Sequence, residues 1–203
     1  MSAQRKPFYT PDEYLEFERE AEYKSEYIAG EVFAMSGASY THNIITSNIN
    51  GEMRSQLRGG SCRAVGSDLR IQTGAAGPYF YPDAVVICGE PQFRSDRRQD
   101  TLLNPSVIIE VLSPSTEAYD RGEKFAYYRR LESLQEYMLV SQTRPRIEHF
   151  TRQGDLWIME EFSGLSAVVP LASADCSLPL AEVYEGVMFA EESIRDTRDD
   201  RDA

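Results

Sequence analysis

Two acids stand where acids are costly. Asp83 is the only charged residue in Tyr81-Pro82-Asp83-Ala84-Val85-Val86-Ile87, and Glu110 the only one in Val107-Ile108-Ile109-Glu110-Val111-Leu112. Apolar runs of this length predict strands buried on both faces or nearly so. An unpaired carboxylate buried there costs several kcal/mol unless a cation or a proton compensates it. Two such acids on successive predicted strands point to a shared site. Converging carboxylates suit Mg²⁺, which keeps several waters of its own. A metal so held can activate water and stabilise transition-state charge, chemistry that fits phosphodiester hydrolysis. Pro82 lacks the N–H a ladder needs, so the chain at this point is an edge, a bulge or a strand start.

The next element offers a compensating cation. With a helix over 117–134 drawn at about 100° per residue, Lys124 projects between Leu131 and Tyr128. Asp120 lies close to that line and Phe125 completes the stripe. Lys124 thus belongs to the face expected to pack on the sheet. The plain alternative is an i, i+4 partner for Asp120, a spacing that alone contributes only tenths of a kcal/mol.

These residues need a scaffold. Thr10-Pro11-Asp12-Glu13 reads as a capped helix start, with the helix running to about residue 21. Residues around Ala29-Gly30 read as a hairpin. A second helix over 41–58 carries Ile45, Ile49, Met53 and Leu57 as one stripe and ends at Gly59-Gly60. Strands are expected over 62–73, 80–88, 106–112 and 137–141, followed by a hairpin of 146–152 with 156–162. Residues 163–189 show little period. The order predicts an α/β (α+β) fold with a central mixed β-sheet flanked by helices and an added β-hairpin region, one domain over 1–190. The charged segment 191–203 reads as a disordered tail.

Composition narrows the function. Thirty-three acids against 21 bases give a net charge of −12 in 203 residues, which argues against sequence-blind coating of nucleic acid but leaves room for a local basic patch. Arg94, Arg97 and Arg98 in the 89–105 loop are candidates to grip phosphates, or simply a solvated loop. Cys62, Cys88 and Cys176 are an odd set without paired spacing, so neither a disulfide framework nor a zinc knuckle is expected, and Cys88 reads as a small core residue. The N-terminus carries no apolar leader and no run approaches a membrane span. A cytoplasmic protein without membrane contact is the expectation.

Further acids and histidines flank the main pair. Asp68, after Gly66-Ser67, is either an additional acid of the site or a turn former. His42, at a helix start, is a candidate for phosphate binding or proton relay, or an ordinary helix-start residue. His149 alternates with Ile147 in a hairpin and reads as a surface residue. Trp157, Phe150 and Phe162 read as core or dimer contacts.

Taken in order, Gly66-Ser67-Asp68-Leu69-Arg70-Ile71, Tyr81-Pro82-Asp83-Ala84-Val85-Val86-Ile87, Glu110-Val111-Leu112-Ser113-Pro114-Ser115-Thr116 and Asp120, Lys124 and Tyr128 resemble the restriction-endonuclease-like family of uncharacterised bacterial proteins within the PD-(D/E)xK nuclease superfamily. Glu26 to Val32 and His42 fit the same pattern, and the resemblance spans about residues 10–190. It implies a restriction-endonuclease-like core, Mg²⁺ or Mn²⁺ held by Asp83 and Glu110, and catalysis on DNA by Asp83, Glu110 and Lys124. Glu26 or Glu31 would be an additional N-terminal acid, and the protein a homodimer. One departure stands out. The motif's lysine is due at 112, two residues after Glu110 on the same strand face, and Leu112 is there instead. The resemblance implies that Lys124 has taken over its role. Two other readings stay open: a catalytically inactive nuclease fold used as a homodimeric interaction module, and a metal-dependent hydrolase of a small phosphorylated compound.

Overall fold

A computed structural model describes residues 8–96 and 98–189. The N-terminal residues and the 191–203 segment expected to be disordered lie outside the described residues, as does Arg97. Helix α1 (Pro11–Glu20) begins as its sequence dictates: Thr10 accepts from the Glu13 N–H while the Glu13 carboxylate accepts from the Thr10 N–H at 2.7 Å, a reciprocal cap. Strands β1 (Ser25–Ile28) and β2 (Glu31–Ala34) form the expected hairpin. Helix α2 (Tyr40–Gln56) is capped by Ser39 and buries Ile45, Ile49 and Met53 completely.

The central layer is a six-stranded sheet ordered β11-β10-β9-β8-β6-β3. Its members are β3 (Cys62–Gly66), β6 (Ala84–Cys88), β8 (Val107–Val111), β9 (Glu136–Val140), β10 (Arg146–Gln153) and β11 (Leu156–Ser163). The β8–β9 pair is parallel and the others antiparallel. Strand alternation divides the sheet's two faces. Val86, Val107, Ile109, Val111 and Met138 join the stripe of α2 on one face, whereas Val85, Ile108, Tyr137 and Leu139 pack on the other against Phe125 and Tyr128. That double burial is why these strands read as apolar runs. A second sheet, ordered β2-β1-β5-β4-β7, adds β4 (Arg70–Gln72), β5 (Tyr79–Phe80) and β7 (Thr101–Leu102).

Parallel strands need a crossover connection. Here α3 (Glu117–Tyr119), a π-helical turn (Asp120–Lys124) and α4 (Phe125–Tyr128) carry the chain from β8 across the sheet face towards β9. The expected helix therefore ends six residues before 134. Beyond it, three-residue turns link Tyr128 to Leu131 and Leu131 to Leu134. Residues 125, 128, 131 and 134 are spaced by three, which serves such turns as well as a helix, so the apolar period could not tell them apart. Residues 163–189 hold a hairpin of β12 (Val168–Leu171) and β13 (Cys176–Pro179) and a short α5 (Leu180–Val183).

Two further expectations are corrected. Cys62 and Cys88 face each other across β3 and β6 and form a disulfide, leaving Cys176 free. Their separation in sequence hid a direct cross-strand pairing. Such bonds are uncommon in the cytoplasm of mesophiles. His149 is buried, not superficial: its Nε2 lies 2.6 Å from Glu136. It shares a sheet face with Ile147, and Ser173, in the loop joining β12 to β13, hydrogen-bonds the same Glu136. Among the described residues no helix is long and apolar enough to cross a membrane.

Candidate active site

Strand β6 begins only at Ala84, because Pro82 interrupts the apolar run. Just before it, the Asp83 side chain takes over the ladder's task and accepts the Val111 N–H at 2.7 Å. One strand over, Glu110 alternates with Ile109 and Val111 and so faces the crossover segment. That segment must lie over β8 to reach β9, and it brings Lys124 down onto Glu110. The Lys124 Nζ is 2.9 Å from Glu110 Oε1, 3.0 Å from Glu26 Oε1 and 3.6 Å from Asp120 Oδ1. It also lies 5.7 Å from the centroid of the Phe80 ring. With 5% of its surface exposed, this lysine is enclosed.

The π-helical turn begins at Asp120 and ends at Lys124, with both side chains buried. Such local widenings of a helix recur at functional sites. Tyr137 fixes the turn by donating to the Asp120 carbonyl at 3.0 Å, and Tyr128 donates to Glu110 Oε1 at 2.9 Å. Tyr128 belongs to the motif set read in sequence and Tyr137 reads there as a core residue, but neither hydroxyl's partner is legible, since a helical or strand period reports a ring's burial and not the partner of its hydroxyl. On the far side of Asp83, the His42 Nε2 lies 3.2 Å from Asp83 Oδ2.

The electrostatics follow from this crowding. Burial disfavours the Lys124 ammonium, but Glu110, Glu26 and Asp120 outweigh it and raise its pKa well above the usual lysine value. Burial raises Glu110 well above the ordinary carboxylate range. Lys124 opposes that shift, while Asp120, Asp83 and Glu26 add to it. Asp120 is raised too, by burial against the pull of Lys124. For His42, burial disfavours the imidazolium, yet the Asp83 carboxylate and the Val111 backbone prevail and raise its pKa above 6.5.

Of the residues singled out in sequence, Asp83, Glu110, Lys124, Glu26 and His42 therefore meet in one region, joined by Asp120. Asp68 does not: its side chain is 98% exposed and pairs with Lys24 at 2.8 Å, so it belongs to a surface turn. Glu31 opens β2 opposite Ile28. Arg94 is engaged by Asp12 at 2.5 Å and by the Tyr79 hydroxyl. Glu136, like Asp83 and Glu110, is a lone acid on an apolar strand, here β9. Its partners, His149 and Ser173, give it a structural role.

Four carboxyl groups face one ammonium and one imidazole, so acids outnumber cations here. Glu26 Oε1 is buried without a hydrogen-bond partner, its 3.0 Å approach to Lys124 being an ion pair out of hydrogen-bond alignment. Among the described residues, no three His, Cys, Asp or Glu side chains are grouped so that they could hold a metal ion together. Mg²⁺ does not require such a group, since it binds through one or two carboxylates plus water. Carboxylate oxygens also match its hardness. The residues fit a Mg²⁺-type ion held by few protein ligands.

Comparison with known proteins agrees with this architecture. Uncharacterized protein sll1609 of Synechocystis sp. is 39% identical over 161 residues, covering 79% of this chain and 90% of that protein. Uncharacterized protein slr1290 of the same organism is 37% identical over 185 residues, covering 90% and 95%. The crystal structure of a "putative nuclease belonging to DUF820" from Anabaena variabilis shares the fold, with a TM-score of 0.73 at 22% identity over 89% of this chain and 99% of that one. The Uma2 family, described as "Putative restriction endonuclease", matches residues 11–181, nearly the whole described chain, and to that family this protein belongs.

Proposed function

We propose that the protein is a metal-dependent endonuclease that hydrolyses phosphodiester bonds in DNA. One observation carries this reading: the enclosed Lys124 ammonium is delivered by the crossover segment to the Glu110 carboxylate, where the motif's strand lysine is replaced by Leu112. Asp83 and Glu110 would hold Mg²⁺ or Mn²⁺, which when bound supplies positive charge against the phosphoryl oxygens and a more acidic water.

The chain's own groups have distinct tasks. Lys124 stays protonated at neutral pH because acids surround it. It therefore serves as a donor and a fixed charge for the phosphoryl group, not as a base. Tyr128 holds Glu110 in orientation. His42, its imidazolium favoured by Asp83, would give a proton to the leaving oxygen. The net charge of −12 limits DNA contact to a local patch.

The test is plasmid cleavage with Mg²⁺ or Mn²⁺, comparing wild type with Asp83→Ala, Glu110→Ala and Lys124→Ala. Wild-type nicking that each substitution reduces by at least a hundredfold supports the reading. Equal background from all four proteins would eliminate it and favour a silent homodimeric module.

A further inference from the structure

The carboxyl ends of β8 and β9 open into a cavity of about 280 Å³. We infer that it binds a backbone phosphate of the nucleic-acid substrate, with Arg144 as its cation. This deepens the nuclease reading and relies on it for the identity of the ligand.

Leu112, in the cavity wall, follows Glu110 by two residues, and Ser141 follows β9 directly. The Leu112 carbonyl accepts from the Gln142 side chain at 2.6 Å, and Gln142 in turn accepts from Ser39, the cap of the helix that carries His42. The cavity floor is thus tied to both arms of the candidate site. Crevices at the carboxyl ends of parallel strands are where open α/β sheets hold ligands.

The lining chemistry selects an anion. Hydroxyls come from Ser113, Ser141 and Thr143, and a guanidinium from Arg144. The one acid in the wall, Glu117, is neutralised by Arg121 through hydrogen bonds of 2.8 and 3.0 Å. Arg146 is already held by Glu148 at 3.1 Å and Glu161 at 3.4 Å. Arg144 is exposed and, among the described residues, has no carboxylate partner. In a chain this acidic, an uncommitted guanidinium beside a hydroxyl-lined cavity is the arrangement an oxyanion would complete. Size narrows the ligand further. The volume falls just short of the roughly 300–1,000 Å³ typical of small-molecule sites, so it suits a phosphate and its waters better than a whole nucleotide.

The phosphate could be free or part of a strand, and the experiment separates the two. A labelled DNA duplex is titrated with the full chain in EDTA, followed by fluorescence anisotropy, using wild type, Arg144→Ala and Arg58→Ala. Arg58 is also exposed and removes the same charge away from the cavity. Inorganic phosphate is titrated in parallel against each protein by NMR. The expected result is about tenfold weaker duplex binding for Arg144→Ala, with a salt slope shallower by about one, and a change under about twofold for Arg58→Ala. Equal effects of the two substitutions, no duplex binding, or binding of inorganic phosphate alone would overturn the inference. Because no cleavage is needed, the outcomes are separable. Duplex binding through Arg144 without any nicking ends the catalytic reading only. Nicking by Arg144→Ala with unchanged KM ends this one only.

Discussion

Replacing Lys124 with Met keeps most of the stem and removes the charge. Three carboxylates, those of Glu26, Glu110 and Asp120, then lose an ammonium that lay 2.9–3.6 Å away in a buried position. Removing one partner of a buried ion pair costs about 3–5 kcal/mol, because the remaining charge is left uncompensated. For a domain of this size, where about 1 kcal/mol moves the Tm by roughly 2–4 °C, the Tm should fall by roughly 6–20 °C at pH 7 without metal. The loss should depend on pH with a definite sign. Burial already raises Glu110 and Asp120 against the pull of Lys124, and without the ammonium their folded pKa values stand further above the unfolded ones, so the folded variant binds more protons, and its stability should fall as pH rises and recover as pH drops from 7 towards 5. Adding Glu110→Gln should restore part of the loss, since it removes the charge that lacked a partner. The assay is urea and thermal unfolding by circular dichroism at several pH values in EDTA. A loss below about 1 kcal/mol that does not vary with pH would refute the enclosed-ammonium argument, because only an exposed ion pair is worth so little.

Two further outcomes follow from other parts of the fold. Burial alone would raise Asp100, but hydrogen bonds from Arg19 and the nearby Arg70 lower its pKa to about 2. Its contribution is therefore complete above its unfolded pKa near 4 and lost as pH falls through about 2. Being about one-third exposed, it is discounted to about 1 kcal/mol. Asp100→Asn should cost that much at pH 7 and only a small part of it near pH 2 in urea titrations; an equal cost at both would sink the linkage. The Cys176 thiol is pushed up to about 11 by burial, with Glu136 and Asp175 nearby. Folded protein at pH 8 should alkylate slowly, and unfolded protein without reductant should titrate a single thiol. Three thiols would refute the Cys62–Cys88 bond.

The amino-acid order by itself marked the elements that carry the site, though not the split of 62–73 into β3 and β4 in different sheets or the hairpin within 163–189. Apolar runs around Asp83 and Glu110 announced strands buried on both faces, since only such strands lack alternation, and the isolated acids in them marked a place needing a counter-charge. The periodicity that put Lys124 on the packing face survived the π-helical turn, because one widened turn displaces a side chain less than it would need to reverse the face. What lay beyond reach were pairings between distant segments. The partners of His149 and of the Tyr128 hydroxyl, the cross-strand meeting of Cys62 with Cys88, and the separation of Asp68 from the other acids all depend on register and on which loop covers which face. Tertiary packing decided these. Local sequence limits the conformation of a segment, whereas contact between segments is chosen by the sum of burial over the whole fold.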